Sequence, residues 1–195
     1  MTGVAVALVG LGYLSGSVPY GLLVVRALKG VDVRAQGSGN IGATNVGRVA
    51  GPAAGVAVLV LDALKGALPV LLARAIAPGS VLPVWVGLAA FVGHVAPVWL
   101  RLRGGKGVAT ALGVLAVLAP WAAVAGALTY ALVFAVFRVS SVGSLLGGLA
   151  AVAVAWLGPG TPRAAAWLTT ALFCLLLWTH RGNLGRLLRR AEPRV

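Results

Sequence analysis

The stretch AAGVAVLVLDALKGALPVLLARAIA, residues 53–77, decides the fold. A helix needs about 20 mostly apolar residues to cross the hydrocarbon core of a bilayer, and this run is long enough. Asp62 and Lys65 are the ionisable residues in its middle, and Arg74 lies near its end. Comparable runs cover 3–25, 81–100, 121–137, 141–158 and 164–180. The run 108–119 is shorter and stops at Pro120, so it forms either a short seventh helix or half of a re-entrant hairpin with 121–137. The expectation is an all-α, polytopic integral membrane helix bundle forming a single domain over 1–195. Seven helices are favoured, with six or five as the fallbacks.

Composition agrees. The chain is 60% hydrophobic and 10% charged, whereas soluble domains carry roughly 25% charged residues. It holds 16 Lys+Arg against 3 Asp+Glu, a net charge of +13. An excess of that size can mark nucleic-acid binding. Here the basic residues sit in short loops between apolar runs, where membrane topology is the usual cause. No nucleic-acid partner is expected; membrane lipid and anionic substrates are. Cys174, the one cysteine, lies in the apolar run Leu172–Trp178 and is expected to pack rather than react. No charge precedes Arg26, so the first run reads as a span rather than a cleaved signal. Glycines inside runs, such as Gly143, Gly147 and Gly148, would let helices approach closely in lipid.

The basic residues also orient the bundle. Arg26, Lys29, Arg34, Arg48, Arg101, Arg103, Lys106, Arg138, Arg181, Arg186, Arg189, Arg190 and Arg194 fall on one side if every run crosses. Arg74 and Arg163 fall on the other. The positive-inside rule then places the N-terminus outside and the C-terminus in the cytoplasm, which requires an odd number of crossings.

Three polar clusters lie on the side read as cytoplasmic. The first runs from Gly37 to Arg48, GSGNIGATNVGR. It contains G-x-G-x-x-G at Gly37, Gly39 and Gly42, but no strand precedes it, and the acidic residue at a suitable spacing, Asp62, lies in an apolar helix. A dinucleotide fold is therefore rejected. Its glycines still allow backbone N–H groups to approach an anion. Ser38, Asn40, Thr44 and Asn45 add neutral hydrogen-bonding groups, and Arg48 adds a rigid cationic fork. A plain turn between spans needs none of these.

The second cluster is Gly93-His94 followed by Arg101, Arg103, Gly104, Gly105, Lys106 and Gly107. Gly107 stands where a Walker A motif needs Ser or Thr, and Leu100 where it needs its first glycine, so that motif is absent. A Gly-Gly-Lys-Gly turn is nevertheless expected to cradle phosphate. The third cluster, His180-Arg181-Gly182-Asn183 with Glu192 beyond it, begins where the last run ends.

Asp62 and Lys65, at i and i+3, either neutralise one another to organise helix packing or act directly; ionisable residues within a span usually face the bundle interior. No metal site is expected, with one cysteine and no H-E-x-x-H. A Ser-His-Asp triad is not expected, because no carboxylate stands near either histidine in sequence. What remains is a site for phosphate groups at the membrane surface.

These motifs, in this order, resemble the bacterial acyl-phosphate:glycerol-3-phosphate acyltransferases, the PlsY family. The resemblance includes Gly16-Ser17-Val18-Pro19-Tyr20, the Gly37–Arg48 loop, Leu61-Asp62 with Lys65-Gly66, Gly93-His94, Gly104–Gly107, and His180-Arg181 with Asn183. It implies transfer of a fatty acyl chain from acyl phosphate to the sn-1 hydroxyl of glycerol 3-phosphate. The products would be lysophosphatidate and inorganic phosphate, the first step of phospholipid synthesis. It also implies a bacterial plasma-membrane enzyme with a cytoplasmic-facing site and no cofactor; the oligomeric state is left open, with a monomer favoured. The family's catalytic positions match Ser38, His94, His180 and Asn183. Its phosphate-binding positions match Gly37, Ser38, Gly39, Asn40, Thr44, Asn45, Arg48, Gly104, Gly105 and Lys106. Ala191 and Pro193 flank Glu192 where the family often has glycine and lysine, so no role is carried over to that glutamate.

The chemistry fits the residues. Two phosphate-bearing substrates call for cations and neutral donors. An activated donor makes a covalent intermediate unnecessary, so positioning and charge stabilisation suffice. The other membrane acyltransferase class, marked by His, four residues and Asp, fails at both histidines, where Trp99 and Gly185 occupy the Asp position. The alternative is a transporter for an anionic phosphorylated metabolite, which would predict two similar halves and a midplane site.

Overall fold

The structure is a computed structural model and describes residues 2–193. Among them it is all α-helical apart from turns, and it divides into two compact units, Met1–Val114 and Leu115–Val195.

The first unit contains α1 (Thr2–Ser17), α2 (Tyr20–Lys29), α3 (Ala43–Ala50), α4 (Pro52–Ile76) and α5 (Leu82–Val95), and α6 (Val108–Leu118) begins in it. The first apolar run does not form one continuous helix as expected. It breaks at Val18–Pro19, because proline lacks an N–H and clashes with the preceding turn. Lys65 of α4 crosses to the break, where Nζ donates at 2.7 Å to the Val18 carbonyl, which also accepts the Tyr20 N–H. Ser15 Oγ donates to the Lys65 carbonyl at 2.9 Å, tying the two helices a second time. Helices α1 and α5 cross where both are small: a Cβ on Gly16 would strike the Ala90 carbonyl, and one on Gly93 would strike the Tyr13 carbonyl.

The polar segment after α2 is too short to fold alone, and it borrows a core. Val33, in a 3-10 turn over Val33–Ala35, packs with Ile41 and Val46 against Val25, Ala54 and Val58. Leu100, in a second 3-10 turn over Val98–Leu100, completes this cluster. The segment 101–107 is thereby anchored to the same core as the segment 33–46.

The second unit contains α7 (Pro120–Phe137), α8 (Ser140–Leu157), α9 (Arg163–Thr179) and α10 (Arg181–Leu188). Gly126 and Gly147 bring the α7 and α8 backbones together, and a Cβ at Gly147 would lie 2.6 Å from the Gly126 carbonyl. Trp156 Nε1 donates to Thr170 Oγ1 at 3.0 Å, joining α8 to α9. Cys174 does not pack inward as expected. It lies on the exposed side of α9, the buried side being taken by Leu168, Leu172 and Leu176.

Among the described residues, five helical stretches are long and apolar enough to cross a membrane: Thr2–Lys29, Pro52–Ile76, Leu82–Leu100, Pro120–Phe137 and Ser140–Leu157. Val108–Leu118 and Arg163–Thr179 are apolar but shorter. At 1.5 Å per residue an 11-residue helix reaches about 17 Å, so α6 by itself falls short of the hydrocarbon core.

Candidate active site

The Gly37–Arg48 loop is shaped from within by Asn45, 2% exposed. Its Nδ2 donates to the carbonyls of Val33, Gln36 and Asn40 at 3.2, 3.1 and 2.9 Å. Its Oδ1 accepts the Ser38 N–H at 2.8 Å. The side chain expected to meet phosphate is thus taken up in holding the loop. Gly37 (φ 56°) and Gly39 (φ 72°) adopt the left-handed backbone that lets the chain curl around it. Asn40 Oδ1 accepts the Gly42 N–H at 2.8 Å just before α3. The Ser38 side chain is exposed. Thr44 and Arg48, one helical turn apart, share a face of α3, and Arg48 is exposed.

The Gly104–Gly107 loop is built differently. The Gly104 and Gly105 N–H groups donate to the carbonyls of Val95 and His94 at 2.9 and 3.0 Å. They are not available to cradle phosphate as the sequence led one to expect. These glycines provide room instead. A Cβ at Gly104 would collide with the His94 carbonyl, and one at Gly105 with His94 Nε2. A Cβ at Gly107 (φ 86°) would collide with the Phe91 ring. Lys106 is half-buried between these glycines.

His94 is 3% exposed at the end of α5, and its two ring nitrogens face different surroundings. Nε2 lies against Gly105. Nδ1 lies 3.8 Å from Asp62 Oδ1, and that oxygen is 2.7 Å from Lys65 Nζ. The expectation that no carboxylate stands near a histidine is therefore overturned. Asp62 precedes His94 by a whole helix and a loop, and the packing of α4 on α5 brings them together. Sequence spacing carries no sign of that.

In the second unit, His180 is buried where α9 ends, with Nδ1 2.9 Å from the Leu176 carbonyl. Asn183 follows on α10, and its Nδ2 donates to Glu192 Oε1. The same oxygen accepts from Ser141 Oγ at 2.7 Å, and Oε2 accepts from Arg186 Nε at 2.7 Å. Burial works to raise the Glu192 pKa, but the hydrogen bonds from Asn183, Ser141 and Arg186 outweigh it and hold the carboxyl below its ordinary value. Glu192, left without a role by sequence, organises this cluster. Ser141 was not singled out either; its one signal is the Ser140-Ser141 pair opening a helix after Arg138.

Apolar helices of spanning length, with two glycine-rich segments and the cations Arg48 and Lys106 anchored to one core, define a helical integral membrane protein equipped to meet anions. The sequence profile of the glycerol-3-phosphate acyltransferase family matches residues 6–190, and the chain belongs to that family. A glycerol-3-phosphate acyltransferase of Myxococcus xanthus (strain DK1622) is 62% identical over 191 residues, covering 96% of this chain and 98% of its own. One from Synechococcus elongatus is 44% identical over 200 residues, covering 98% and 94%. The solved glycerol 3-phosphate form of PlsY, an integral membrane glycerol 3-phosphate acyltransferase, superposes with a TM-score of 0.92 at 38% identity, covering 98% of this chain and 95% of that one. Its lysophosphatidic acid form gives 0.90, also at 38% identity, with 97% and 94% covered. Family membership sets the transporter alternative aside.

Proposed function

We propose that this chain transfers a fatty acyl group from acyl phosphate to the sn-1 hydroxyl of glycerol 3-phosphate. The observation that carries the reading is the shared anchoring of two cationic loops. Leu100 sits in one apolar cluster with Val33, Ile41 and Val46, so helix α3, which bears Arg48, and the loop bearing Lys106 are set by the same core. A substrate pair bearing two phosphates needs several cations near one another, and the family's known substrate, as the solved PlsY forms name it, is one such anion.

In the proposed step the glycerol hydroxyl oxygen attacks the acyl carbonyl carbon. The bond from that carbon to the phosphate oxygen breaks, and phosphate leaves with the electron pair. The hydroxyl proton, held by His94 Nε2 until attack, ends on the leaving phosphate, so the products are lysophosphatidate and inorganic phosphate, with no covalent enzyme intermediate. Arg48, Lys106 and the Ser38 side chain hold and neutralise phosphate, with Gly37, Gly39, Asn40, Asn45 and Thr44 shaping the loop. Gly104 and Gly105 make room for His94, whose Nε2 orients the hydroxyl. His180 and Asn183 receive roles from the family resemblance, and Glu192 holds Asn183. Positioning of this kind is worth orders of magnitude when the donor is already activated. The positive-inside bias supports an odd number of crossings, seven or five, and a site facing the cytoplasm from the plasma membrane.

The test is purified protein in micelles given palmitoyl phosphate and glycerol 3-phosphate, with phosphate release and lysophosphatidate followed together. Equimolar formation of both is expected. Turnover with acyl-coenzyme A but not with acyl phosphate would overturn the donor assignment.

A further inference from the structure

The acyl-transfer reading uses His94 but leaves the groups buried behind it without a task. Asp62 and Lys65 are 3% and 2% exposed in their side chains and lie 2.7 Å apart. Lys65 has a structural duty, since its Nζ caps the Val18 carbonyl at the Pro19 break and lies 5.6 Å from the Tyr20 ring centre. A lysine with that duty needs a counter-ion, and Asp62 supplies it. Charge balance alone does not explain the third member. The imidazole of His94 turns Nδ1 towards the same Asp62 oxygen, at 3.8 Å, and Nδ1 has no hydrogen-bond partner. A buried polar nitrogen without a partner is uncommon and asks for a reason.

The opposite ring nitrogen supplies the reason. Nε2 lies against Gly105, where any larger residue would displace it, next to Lys106. A neutral imidazole carries its proton on one nitrogen and offers a lone pair on the other. The neighbour of Nδ1 therefore decides what Nε2 can do. With the proton on Nδ1, Nε2 accepts a hydrogen bond from a hydroxyl. With the proton on Nε2, it cannot.

We propose that Asp62 is a positioning residue for acyl transfer, accepting the Nδ1 proton of His94 as a hydrogen bond and so fixing the tautomer whose bare Nε2 orients the attacking hydroxyl. At 3.8 Å the two atoms are about 1 Å beyond a hydrogen bond, a gap that a small shift of the imidazole closes. Lys65, 2.7 Å away, holds the Asp62 carboxyl in place beside the ring. The inference rests on the acyl-transfer reading for the task of Nε2, but the tautomer it requires is observable without turnover.

The experiment has two arms. The chain has 2 histidines, so a spectrum of the 15N-histidine-labelled protein, with one His180→Gln sample for assignment, reads the His94 tautomer. Protonated Nδ1 and bare Nε2 are expected with glycerol 3-phosphate bound; protonated Nε2 in that state overturns the proposal. In the second arm Asp62→Asn, similar in shape, is assayed with acyl phosphate. Its kcat should fall about 10- to 100-fold, the usual cost of losing an orienting partner, while KM for glycerol 3-phosphate stays within about threefold. A kcat like that of the unaltered protein overturns the proposal, as does a defect confined to KM. If Asp62→Asn does not fold, the tautomer of the unaltered protein decides alone. If the unaltered protein forms no lysophosphatidate, the acyl-transfer reading fails while the tautomer result stands on its own.

Discussion

Two carboxylates in this chain are held in opposite ways. Glu192, after the last helix, accepts from Ser141, Asn183 and Arg186, so both its oxygens are occupied. Asp62, inside α4, faces one cation at 2.7 Å and one histidine just beyond hydrogen-bond reach. The first arrangement is closed: every group has its partner, and the result is a fixed tail. The second retains an unmet demand at Nδ1 of His94. Saturated clusters fix shape, whereas a cluster with one bond left to make is where a substrate can change something. The contrast separates a carboxylate that builds the fold from one that also serves the reaction.

The largest effect should come from breaking the buried pair on one side only. Asp62→Ala leaves Lys65 buried without its counter-ion, which typically costs about 3–5 kcal/mol. Thermal unfolding in detergent should show it as a large drop in the midpoint. Adding Lys65→Met removes the stranded lysine and should restore much of that stability. The double variant should remain poor in turnover, because His94 still lacks its partner. Full activity in a stable double variant would put Asp62 in the same structural class as Glu192 and erase the contrast.

Asn45 is the neutral counterpart of Glu192, a side chain with all its bonds taken within one loop. Asn45→Ala removes a donor from three carbonyls, of which Val33 and Gln36 keep a backbone N–H, and takes the acceptor from the Ser38 N–H. At about 1 kcal/mol for each net bond, with some groups reaching water, the expected loss is about 2–3 kcal/mol. Faster amide exchange should be confined to 33–45, together with a higher KM for glycerol 3-phosphate. An unchanged loop would mean that the Gly37–Asn40 backbone holds itself.

How much of this was legible beforehand follows from the range of the forces involved. Five of the seven apolar runs match their helices to within one residue, as 53–77 does Pro52–Ile76, because the span requirement is local and strong; 3–25 is split at Pro19 and 81–100 stops being α-helical at Val95. The Pro19 break was missed because the proline sits in an otherwise continuous apolar run, and the lysine that repairs the break is on another helix. The cationic loops were legible from residue type. Their internal wiring was not, since Asn45 looks the same whether it binds an anion or its own loop. Gly104 and Gly105 looked like N–H donors, and only the end of α5 shows those N–H groups already bonded. The Asp62–His94 approach is tertiary throughout, and no one-dimensional spacing encodes it.

Glu192→Gln should have a smaller effect than either change above. The amide keeps the shape but removes the charge, and its NH₂ must face at least one donor. A loss of about 1–2 kcal/mol is expected from weakening charge-assisted bonds. Since folding lowers the Glu192 pKa from its ordinary 4.5, the folded tail binds that proton more weakly than the unfolded one. The stabilisation is fully present above the ordinary value and is lost as pH falls through the lowered one. Amide exchange over 183–192 should therefore show an excess loosening on acidification that is absent from Glu192→Gln. Equal pH responses in the two proteins would mean that the three bonds do not hold the tail.

The smallest effect belongs to a third carboxylate, Asp32, which makes more bonds than Asp62 and should matter least. Its oxygens meet Arg34 in a forked pair, with a closest approach of 2.6 Å, and accept the Arg34 N–H at 2.9 Å. The side-chain bond to Arg34 and then the backbone N–H bring its pKa down to about 2. Yet the two side chains are 41% and 43% exposed, and water competes for every one of those bonds. Exposed pairs contribute about 0–1 kcal/mol. Asp32→Asn keeps an oxygen for the Arg34 N–H and removes only the charge, so its cost should sit at the low end and shrink further as salt screens the pair. Thermal unfolding at low and high salt measures it. A loss approaching that of Glu192→Gln would mean that bond count rather than burial ranks these carboxylates, and the distinction between closed and open clusters would then need another basis.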